Sequence, residues 1–368
     1  MKIGFIGLGN VGGKLAGSLL RNGFDVTVLD LDQRIAAPLV EQGATWAESP
    51  RAMTGACELV ITCLPNPAAS AAVLEDDDGV LAGMGPGRIW MEMSTTDEAE
   101  VKRLGAKVSA AGGMPADCPV SGGCHRAATG NISIFAGCER AVFDRLLPVL
   151  ACMGRNILHT GPLGSASVLK VITNYLATAN LVSLCEALAV AGKTGMDLNT
   201  TYEAIRISSG NSFVHETESQ VILNGSPRHQ LHHGPGAART SACSSRWPSG
   251  ADVPLEISPA LLDISADGEA RYGGREWSPN IIRRLEEKCL PKIRADGFPA
   301  QMIDDEPGRG GPRGSAAQRG AGRGDPADRI RIGRRSRPAR CYHYCIPAAP
   351  AGLSIPSFTR TGVARRHA

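Results

Sequence analysis

A glycine-rich turn directly after an apolar N-terminal strand constrains the fold of this chain more than any other feature. Residues 7–12 read Gly-Leu-Gly-Asn-Val-Gly, between a β-branched run at residues 2–6 and a helical pattern at residues 14–21. In a G-x-G-x-x-G turn the glycines let the backbone approach a pyrophosphate at a helix N-terminus. The pattern predicts a dinucleotide-binding βα unit whose cofactor contacts are Gly7, Leu8, Gly9, Asn10, Val11 and Gly12.

Asp30 provides a second signal for the same cofactor site. It ends the predicted second strand, eighteen residues after Gly12, where a carboxylate accepts hydrogen bonds from an adenosine ribose. A carboxylate at this place repels a 2′-phosphate, whereas an NADP enzyme tends to place an arginine nearby. Arg34 lies close enough to blur this distinction, but an arginine at a helix start is more often solvated. The sequence therefore favours NAD over NADP.

The order of predicted elements indicates the fold class. Short β-branched runs alternate with helical stretches up to residue 160, which predicts parallel βαβ units in a Rossmann-type α/β domain over residues 1–163. Longer helical periodicity then predicts an all-helical second domain over residues 164–307. The predicted strands are 2–6, 26–29, 59–64, 88–93, 132–135 and 157–159, and the predicted later helical segments are 167–193, 200–223 and 279–289.

Several protein classes are disfavoured by the composition. No apolar run approaches the roughly 20 residues of a membrane span, and the glycine turn follows Met1 too closely for a signal peptide. We therefore expect a cytoplasmic protein without membrane association or a metal site. Seven cysteines lack disulfide-framework or metal-ligand spacing, so we predict buried thiols at Cys57, Cys63, Cys118, Cys124, Cys138, Cys152 and Cys185.

A predicted tight turn carries a family signature. Residues 116–123 read Ala-Asp-Cys-Pro-Val-Ser-Gly-Gly, which resembles the D-x-P-V-S-G-G signature of the β-hydroxyacid dehydrogenase family. This family includes 3-hydroxyisobutyrate dehydrogenases and tartronate semialdehyde reductases. The resemblance implies that Ser121, Gly122 and Gly123 bind the substrate carboxylate. Physical chemistry agrees, because adjacent glycines expose N–H groups and the hydroxyl adds a donor.

A second motif of the same family lies at the start of the long helical segment. Residues 164–174 are similar to G-x-G-x-x-x-K-x-x-x-N, with Ala166 where the middle glycine is usual. Lys170 and Asn174 lie one helical turn apart and project together from a mostly apolar surface. The resemblance implies that Lys170 removes the C3 hydroxyl proton as hydride leaves C3, while Asn174 holds the substrate. A partly desolvated lysine can perform this transfer, and His125, expected in a surface loop, is a weaker candidate.

Two further loops complete the predicted cofactor site. Residues 65–67 read Pro-Asn-Pro after the third strand, and residues 94–96 read Ser-Thr-Thr after the fourth strand. Both resemble cofactor-side loops of the family, and both follow strands at the sheet edge where doubly wound folds bind ligands. The cofactor contacts expected from these loops are Leu64, Pro65 and Thr95.

The resemblance covers residues 1–225 and 251–307 and implies an oxidoreductase that acts on a small 3-hydroxy acid with NAD. 3-Hydroxyisobutyrate is the first choice of substrate, while glycerate and other small 3-hydroxy acids remain open. A homo-oligomer would also fit the family, although this chain does not favour one.

Two segments do not fit this picture. Residues 227–250 hold three His, three Arg, no Lys and no acid, and residues 309–368 hold thirteen Arg, no Lys and two acids. The tail thus carries a net charge of +11, which leaves −8 on residues 1–308. The Gly/Arg/Pro/Ala-rich composition after residue 308 predicts a disordered tail. Its Cys341-x-His343-x-Cys345 spacing carries little weight as a metal site.

These segments leave three hypotheses open: an active dehydrogenase with an irregular C-terminus, an NAD-binding module whose arginine tail binds nucleic acid, and an inactive frameshifted product. We favour nucleic-acid binding least. The frameshift hypothesis has a specific basis, because codons allowed for residues 227–237 and 239–249 give apolar-periodic, family-like readings at successive one-base offsets. Three such shifts restore the frame, as the return of family-like sequence at Ala251 requires. Resequencing the gene tests this hypothesis.

Overall fold

The computed structural model describes residues 1–225, 253–273, 278–289, 293–302, 304 and 329–331. All of them belong to one compact unit, Met1–Ile332. The segment predicted to be disrupted, 227–250, lies outside the described residues. So does the predicted tail, 308–368, apart from a short strand at Arg329–Arg331. The predicted domain boundary at residue 163 stays a prediction.

Residues 2–161 and the short strand at Arg329–Arg331 form a ten-stranded, mainly parallel sheet. Its order is β10-β9-β8-β6-β5-β4-β1-β2-β3, and β7 pairs with β8. The pairs β6 with β8, β7 with β8 and β10 with β9 are antiparallel, and the others are parallel. The strands are β1 Lys2–Ile6, β2 Asp25–Leu29, β3 Thr45–Trp46, β4 Leu59–Thr62, β5 Ile89–Glu92, β6 Met114–Asp117, β7 Val120–Ser121, β8 Ile132–Gly137, β9 Gly154–Gly161 and β10 Arg329–Arg331.

Two apolar clusters bury the sheet. Phe5 and Ile61 belong to one cluster, and Val60 and Trp90 belong to the other. Neighbouring residues of one strand divide between the clusters because successive side chains of a strand point to opposite faces. Helices pack on the strands in a βαβ arrangement: α1 Gly12–Arg21, α2 Ala37–Val40, α3 Pro50–Ala56, α4 Pro67–Glu75, α5 Val80–Gly83, α6 Glu98–Ala110, α7 Gly123–Thr129 and α8 Arg140–Met153.

The later described residues are helical and enclose a third apolar cluster. The segment predicted as helical over 200–223 consists of two helices, because Ser212 caps the second one by accepting a hydrogen bond from His215 N at 3.0 Å. The helices are α9 Ser165–Lys193, α10 Leu198–Arg206, α11 Phe213–Asn224, α12 Ser258–Tyr272 and α13 Arg283–Cys289, with a 3₁₀ turn at Ser278–Ile282. A Rossmann-type sheet followed by a helical region confirms the predicted fold class.

The helix α9 is longer and more apolar than expected, because the sequence analysis predicted no apolar run near the length of a membrane span. Among the described residues it alone is long and apolar enough to cross a membrane by length and composition, with a mean hydropathy of 1.4. Its contacts with β8, α6, α10 and α11 identify it as the central helix that joins the sheet to the helical region. Six of the seven cysteines predicted to be buried are buried, and Cys63 is half-buried.

Candidate active site

The three glycines of the first turn have different surroundings. Gly7 has a φ of 92°, and a Cβ atom on it would overlap the carbonyl oxygen of Cys63. A Cβ atom on Gly12 would overlap the carbonyl oxygen of Gly7. In contrast, a Cβ atom on Gly9 would meet no protein atom within 4 Å. Gly7 and Gly12 therefore allow close backbone contacts that a side chain would prevent. Gly9 leaves open space at the place where a pyrophosphate would approach.

The carboxylate of Asp30 is fixed at the end of β2. Its Oδ2 accepts a hydrogen bond from Leu8 N at 2.7 Å, and its Oδ1 accepts one from Asp32 N at 3.1 Å. Arg34 is exposed, but its Nε and Nη2 atoms donate to the two carboxylate oxygens of Asp32, both at 2.8 Å. This pairing holds the pKa of Asp32 below its usual range. The charge of Arg34 is thus already offset by a neighbour.

The loops after β4 and β5 are joined to each other. Ser94 Oγ accepts a hydrogen bond from Leu64 N at 2.7 Å, while Pro65 is exposed and Thr95 is half-buried. The next residue, Thr96, is 2% exposed, and its Oγ1 has no hydrogen-bond partner among the residues that the structure describes. A buried hydroxyl of this kind suits a polar ligand, so the loops and the open space at Gly9 together fit a dinucleotide. The sequence did not single out Thr96 from its neighbours.

A buried carboxyl group supports these loops from below. Glu92 is 1% exposed, and its Oε1 accepts a hydrogen bond from Ser94 N at 2.8 Å. Glu92 pairs with Thr62 of β4 on one side and with Asp117 of β6 on the other. Burial raises the pKa of the Glu92 carboxyl. Glu92 stands in an otherwise apolar strand, and this pattern could have predicted a buried carboxyl group, but the sequence analysis did not identify it.

The substrate turn predicted at Ser121, Gly122 and Gly123 joins β7 to α7. Gly122 has a φ of 125° and Gly123 has a φ of 85°, so both adopt conformations that favour glycine. Because α7 begins at Gly123, His125 lies inside this helix and is half-buried. The expectation that His125 lies in a surface loop is therefore wrong. Arg126 lies on the same helix, with its Cδ atom 3.2 Å from the position of a Cβ atom on Gly122.

Lys170 and Asn174 lie one turn apart on α9, as the sequence predicts. Lys170 is 8% exposed and Asn174 is 6% exposed, so both polar side chains are buried. The first turn of α9 is attached to β6 by Asp117, which is fully buried. Asp117 Oδ1 accepts from Gly164 N at 2.9 Å, and Oδ2 accepts from Ser167 N at 2.8 Å. The substrate turn and the lysine helix therefore share a common anchor.

A C-terminal residue also reaches the helix behind the substrate turn. Asp304 accepts hydrogen bonds from Thr129 Oγ1 and from Asn131 Nδ2, and its Oδ1 lies 3.8 Å from Arg126 Nε. The Arg126 guanidinium lies 4.6 Å from the ring centroid of Phe213 on α11. No sequence motif connects residues so far apart in the chain. Within the described ranges, no group of three or more His, Cys, Asp or Glu side chains could hold a metal ion.

Comparison with protein families identifies the two parts of this site. Residues 2–161 match the NAD-binding domain of 6-phosphogluconate dehydrogenase. Residues 164–230 match the NAD-binding family of NADP-dependent 3-hydroxyisobutyrate dehydrogenase. The first match contains the glycine turn and the substrate turn, and the second contains Lys170 and Asn174.

Individual relatives agree with the family matches. The chain is 32% identical over 294 residues to 2-(hydroxymethyl)glutarate dehydrogenase from Eubacterium barkeri, covering 78% of this chain and 95% of the relative. It is 36% identical over 211 residues to 3-hydroxyisobutyrate dehydrogenase from Pseudomonas aeruginosa, covering 57% of this chain and 71% of that protein. The solved structure of 3-hydroxyisobutyrate dehydrogenase from Salmonella typhimurium superposes with a TM-score of 0.69 at 28% identity, covering 77% and 99% of the two chains.

Proposed function

The chain is an NAD(P)-dependent dehydrogenase of the β-hydroxyacid dehydrogenase family, and from this premise we propose that it oxidises a small 3-hydroxy carboxylate to its semialdehyde, with Lys170 as acid/base. The observation that carries the proposal is the burial of Lys170 and Asn174 on one side of α9. Lysine is rarely buried in proteins, and Lys193 at the end of the same helix is exposed, so the burial of Lys170 distinguishes it from a solvated helix lysine. A buried amine beside a buried amide suits a site that handles a hydroxyl group.

In the proposed mechanism each residue group has one task. The Ser121 hydroxyl and the N–H groups of Gly122 and Gly123 bind the substrate carboxylate. Asn174 orients the C3 hydroxyl, and the Lys170 amine accepts its proton as the carbonyl forms. NAD, when bound, supplies the hydride acceptor. The residues that would hold it are those of the glycine turn, Asp30, and the loops that contain Leu64, Pro65 and Thr95.

We take 3-hydroxyisobutyrate as the first substrate to test, and NAD as the preferred cofactor. Relatives named for 3-hydroxyisobutyrate and for 2-(hydroxymethyl)glutarate support the class of acid rather than one member. The pairing of Arg34 with Asp32 supports NAD, because it offsets the charge that a 2′-phosphate would need. A cytoplasmic location is part of the same proposal.

The test is NADH formation by the full chain on a panel of acids: 3-hydroxyisobutyrate, glycerate, serine and 2-(hydroxymethyl)glutarate. Lys170→Ala should lower kcat by roughly 10² to 10⁴ while the Kd for NAD stays near the wild-type value. Lys170→Arg keeps the charge but cannot accept a proton, so it should be equally slow. Lys193→Ala, at the exposed end of the same helix, is the matched control. Full activity in Lys170→Ala would show that Lys170 is not the acid/base. His125 would then be the next candidate for that role.

A further inference from the structure

We propose that Asp117 is a positioning residue for Lys170, because its buried carboxylate fixes the first turn of α9 relative to the substrate turn. This inference rests on the proposed function and concerns a residue outside the groups assigned to substrate or cofactor. Asp117 does not act on the substrate itself. Its task is to hold the helix that carries the lysine at a constant distance from the residues that bind the carboxylate.

The geometry of the carboxylate carries the inference. The first four N–H groups of a helix have no acceptor within the helix. At the start of α9, Gly164 occupies the N-cap position with a φ of 95° and has no side chain with which to accept a hydrogen bond. Asp117 supplies the missing acceptor from another strand, with one oxygen for Gly164 N and the other for Ser167 N. Both oxygens are thus used on α9.

The position of Asp117 in the chain explains why this link matters for catalysis. Asp117 ends β6, and the substrate turn begins four residues later at Ser121. On the other side of the link, Ser167 lies one helical turn before Lys170 on α9. Carboxylate binding and proton transfer therefore share one buried anchor, so a shift of α9 against β6 changes the distance between the two functions. Misplacement by about 1 Å can cost a factor of about 10² in rate.

Gly137 on β8 shows that the surrounding structure is built around this carboxylate. It pairs with Asp117 across the antiparallel β6–β8 contact. A Cβ atom on Gly137 would overlap Asp117 Oδ1 and would lie 2.9 Å from Ser165 Oγ. A glycine is thus required opposite the carboxylate. Gly137→Ala should displace Asp117 without changing its charge, which provides a second route to the same defect.

The kinetic test uses Asp117→Asn in the full chain. An amide has one oxygen, so its NH₂ group would face one of the two N–H donors and that hydrogen bond would be lost. We expect kcat to fall by roughly 10- to 100-fold, with the Kd for NAD unchanged. The deuterium isotope effect on kcat, measured with substrate deuterated at C3, should rise because the chemical step becomes slower. Gly137→Ala should shift both values in the same direction.

The matched control is Asp197→Asn at the start of α10. Asp197 also caps a helix, but Thr200 N and Thr200 Oγ1 both donate to its Oδ1, so an asparagine can replace it. This variant should keep the wild-type kcat and isotope effect. A merely less stable protein would show a smaller active fraction, with the isotope effect unchanged. That result in Asp117→Asn, or wild-type kinetics, would overturn the proposal.

Hydrogen exchange gives a readout that does not need turnover. In the wild type, the amides of Gly164 and Ser167 should exchange as slowly as amides in the middle of α9. In Asp117→Asn the exchange at this turn should accelerate by about 10-fold or more, since one of the two hydrogen bonds that hold these amides is lost. Rapid exchange of both amides in the wild type would refute the anchor. Absence of turnover on every acid, with slow exchange at these amides, would instead count against the proposed function alone.

Discussion

Gly9→Ala should separate the stability of the chain from its affinity for NAD. The added methyl group meets no protein atom within 4 Å, and Gly9 is not among the glycines with positive φ. The unfolding temperature should therefore stay the same or rise slightly. Alanine lowers the conformational entropy of the unfolded chain, which can raise the free energy of unfolding by about 0.4 to 1 kcal/mol. With NAD bound, the methyl group would enter the space that the pyrophosphate needs. An overpacked contact costs about 1 to 3 kcal/mol, which is roughly a 5- to 150-fold rise in Kd.

Two other glycines make this prediction specific. Gly12→Ala should lower both the unfolding temperature and the affinity, because its Cβ atom would overlap the carbonyl oxygen of Gly7 and lie 3.1 Å from the carbonyl carbon. Gly55→Ala in α3 also meets nothing within 4 Å, and it should lower neither quantity. Thermal unfolding and a fluorescence titration with NADH measure the two effects on the full chain. Wild-type affinity in Gly9→Ala would show that the pyrophosphate does not approach this glycine.

Three further predictions test other parts of the site. The wild type should bind NAD more tightly than NADP, and Asp30→Ala should reduce that preference; equal or tighter NADP binding by the wild type would contradict it. Glu92→Gln should raise the unfolding temperature at pH 8, by about 2 to 4 °C for each kcal/mol gained. Because burial raises the pKa of Glu92, the folded chain binds more protons than the unfolded chain above the usual glutamate range, and stability falls as pH rises. The gain should disappear near pH 4, and a pH-independent gain would refute this cause. Asp304→Ala should lower the unfolding temperature, since it leaves the half-buried hydroxyl of Thr129 and the buried amide of Asn131 without this acceptor. It should also raise KM for the acid, because Arg126 lies against the substrate turn, and unchanged values of both would remove Asp304 from the site.

The fold could be predicted from the sequence to the extent that local patterns determine it. Strand β1 has the predicted bounds, and the other predicted strands overlap observed ones, because β-branched runs and glycine turns are local signals. The predicted strands leave out β3, β6, β7 and β10, of which β6 is the longest. Its residues Met114 to Asp117 include a proline and an acid, and its strand conformation comes from pairing with β5 and β8. Pairing between distant segments leaves no periodic signal in the sequence.

The candidate site divides in the same way. Lys170, Asn174 and the glycine turn belong to short motifs, so their types and spacing could be recognised before the structure was known. The roles of Asp117 and Asp304 depend on contacts between residues that are far apart in the chain. Asp117 contacts Gly164, at a separation of 47 residues, and Asp304 contacts Thr129, at a separation of 175 residues. Asp117 was part of a recognised motif, but its spacing gave no indication that it binds the start of α9. Physical contact, rather than sequence pattern, identifies residues that position other residues.

Binding of NAD and turnover of an acid depend on different parts of this chain. The predicted NAD contacts all precede residue 96, and the proposed acid/base lies on α9. The family match that contains Lys170 ends at residue 230, whereas family-like sequence over 294 residues is shared with the Eubacterium barkeri relative. The frameshift hypothesis leaves residues 1–225 unchanged, so it predicts a chain that binds NAD and protects the first turn of α9 and yet oxidises no acid. That result would favour the frameshift hypothesis for residues 227–250, and the codons of this segment would decide it. If the codons do not permit the shifted family-like readings, the frameshift hypothesis is wrong and the histidine-rich segment needs another explanation.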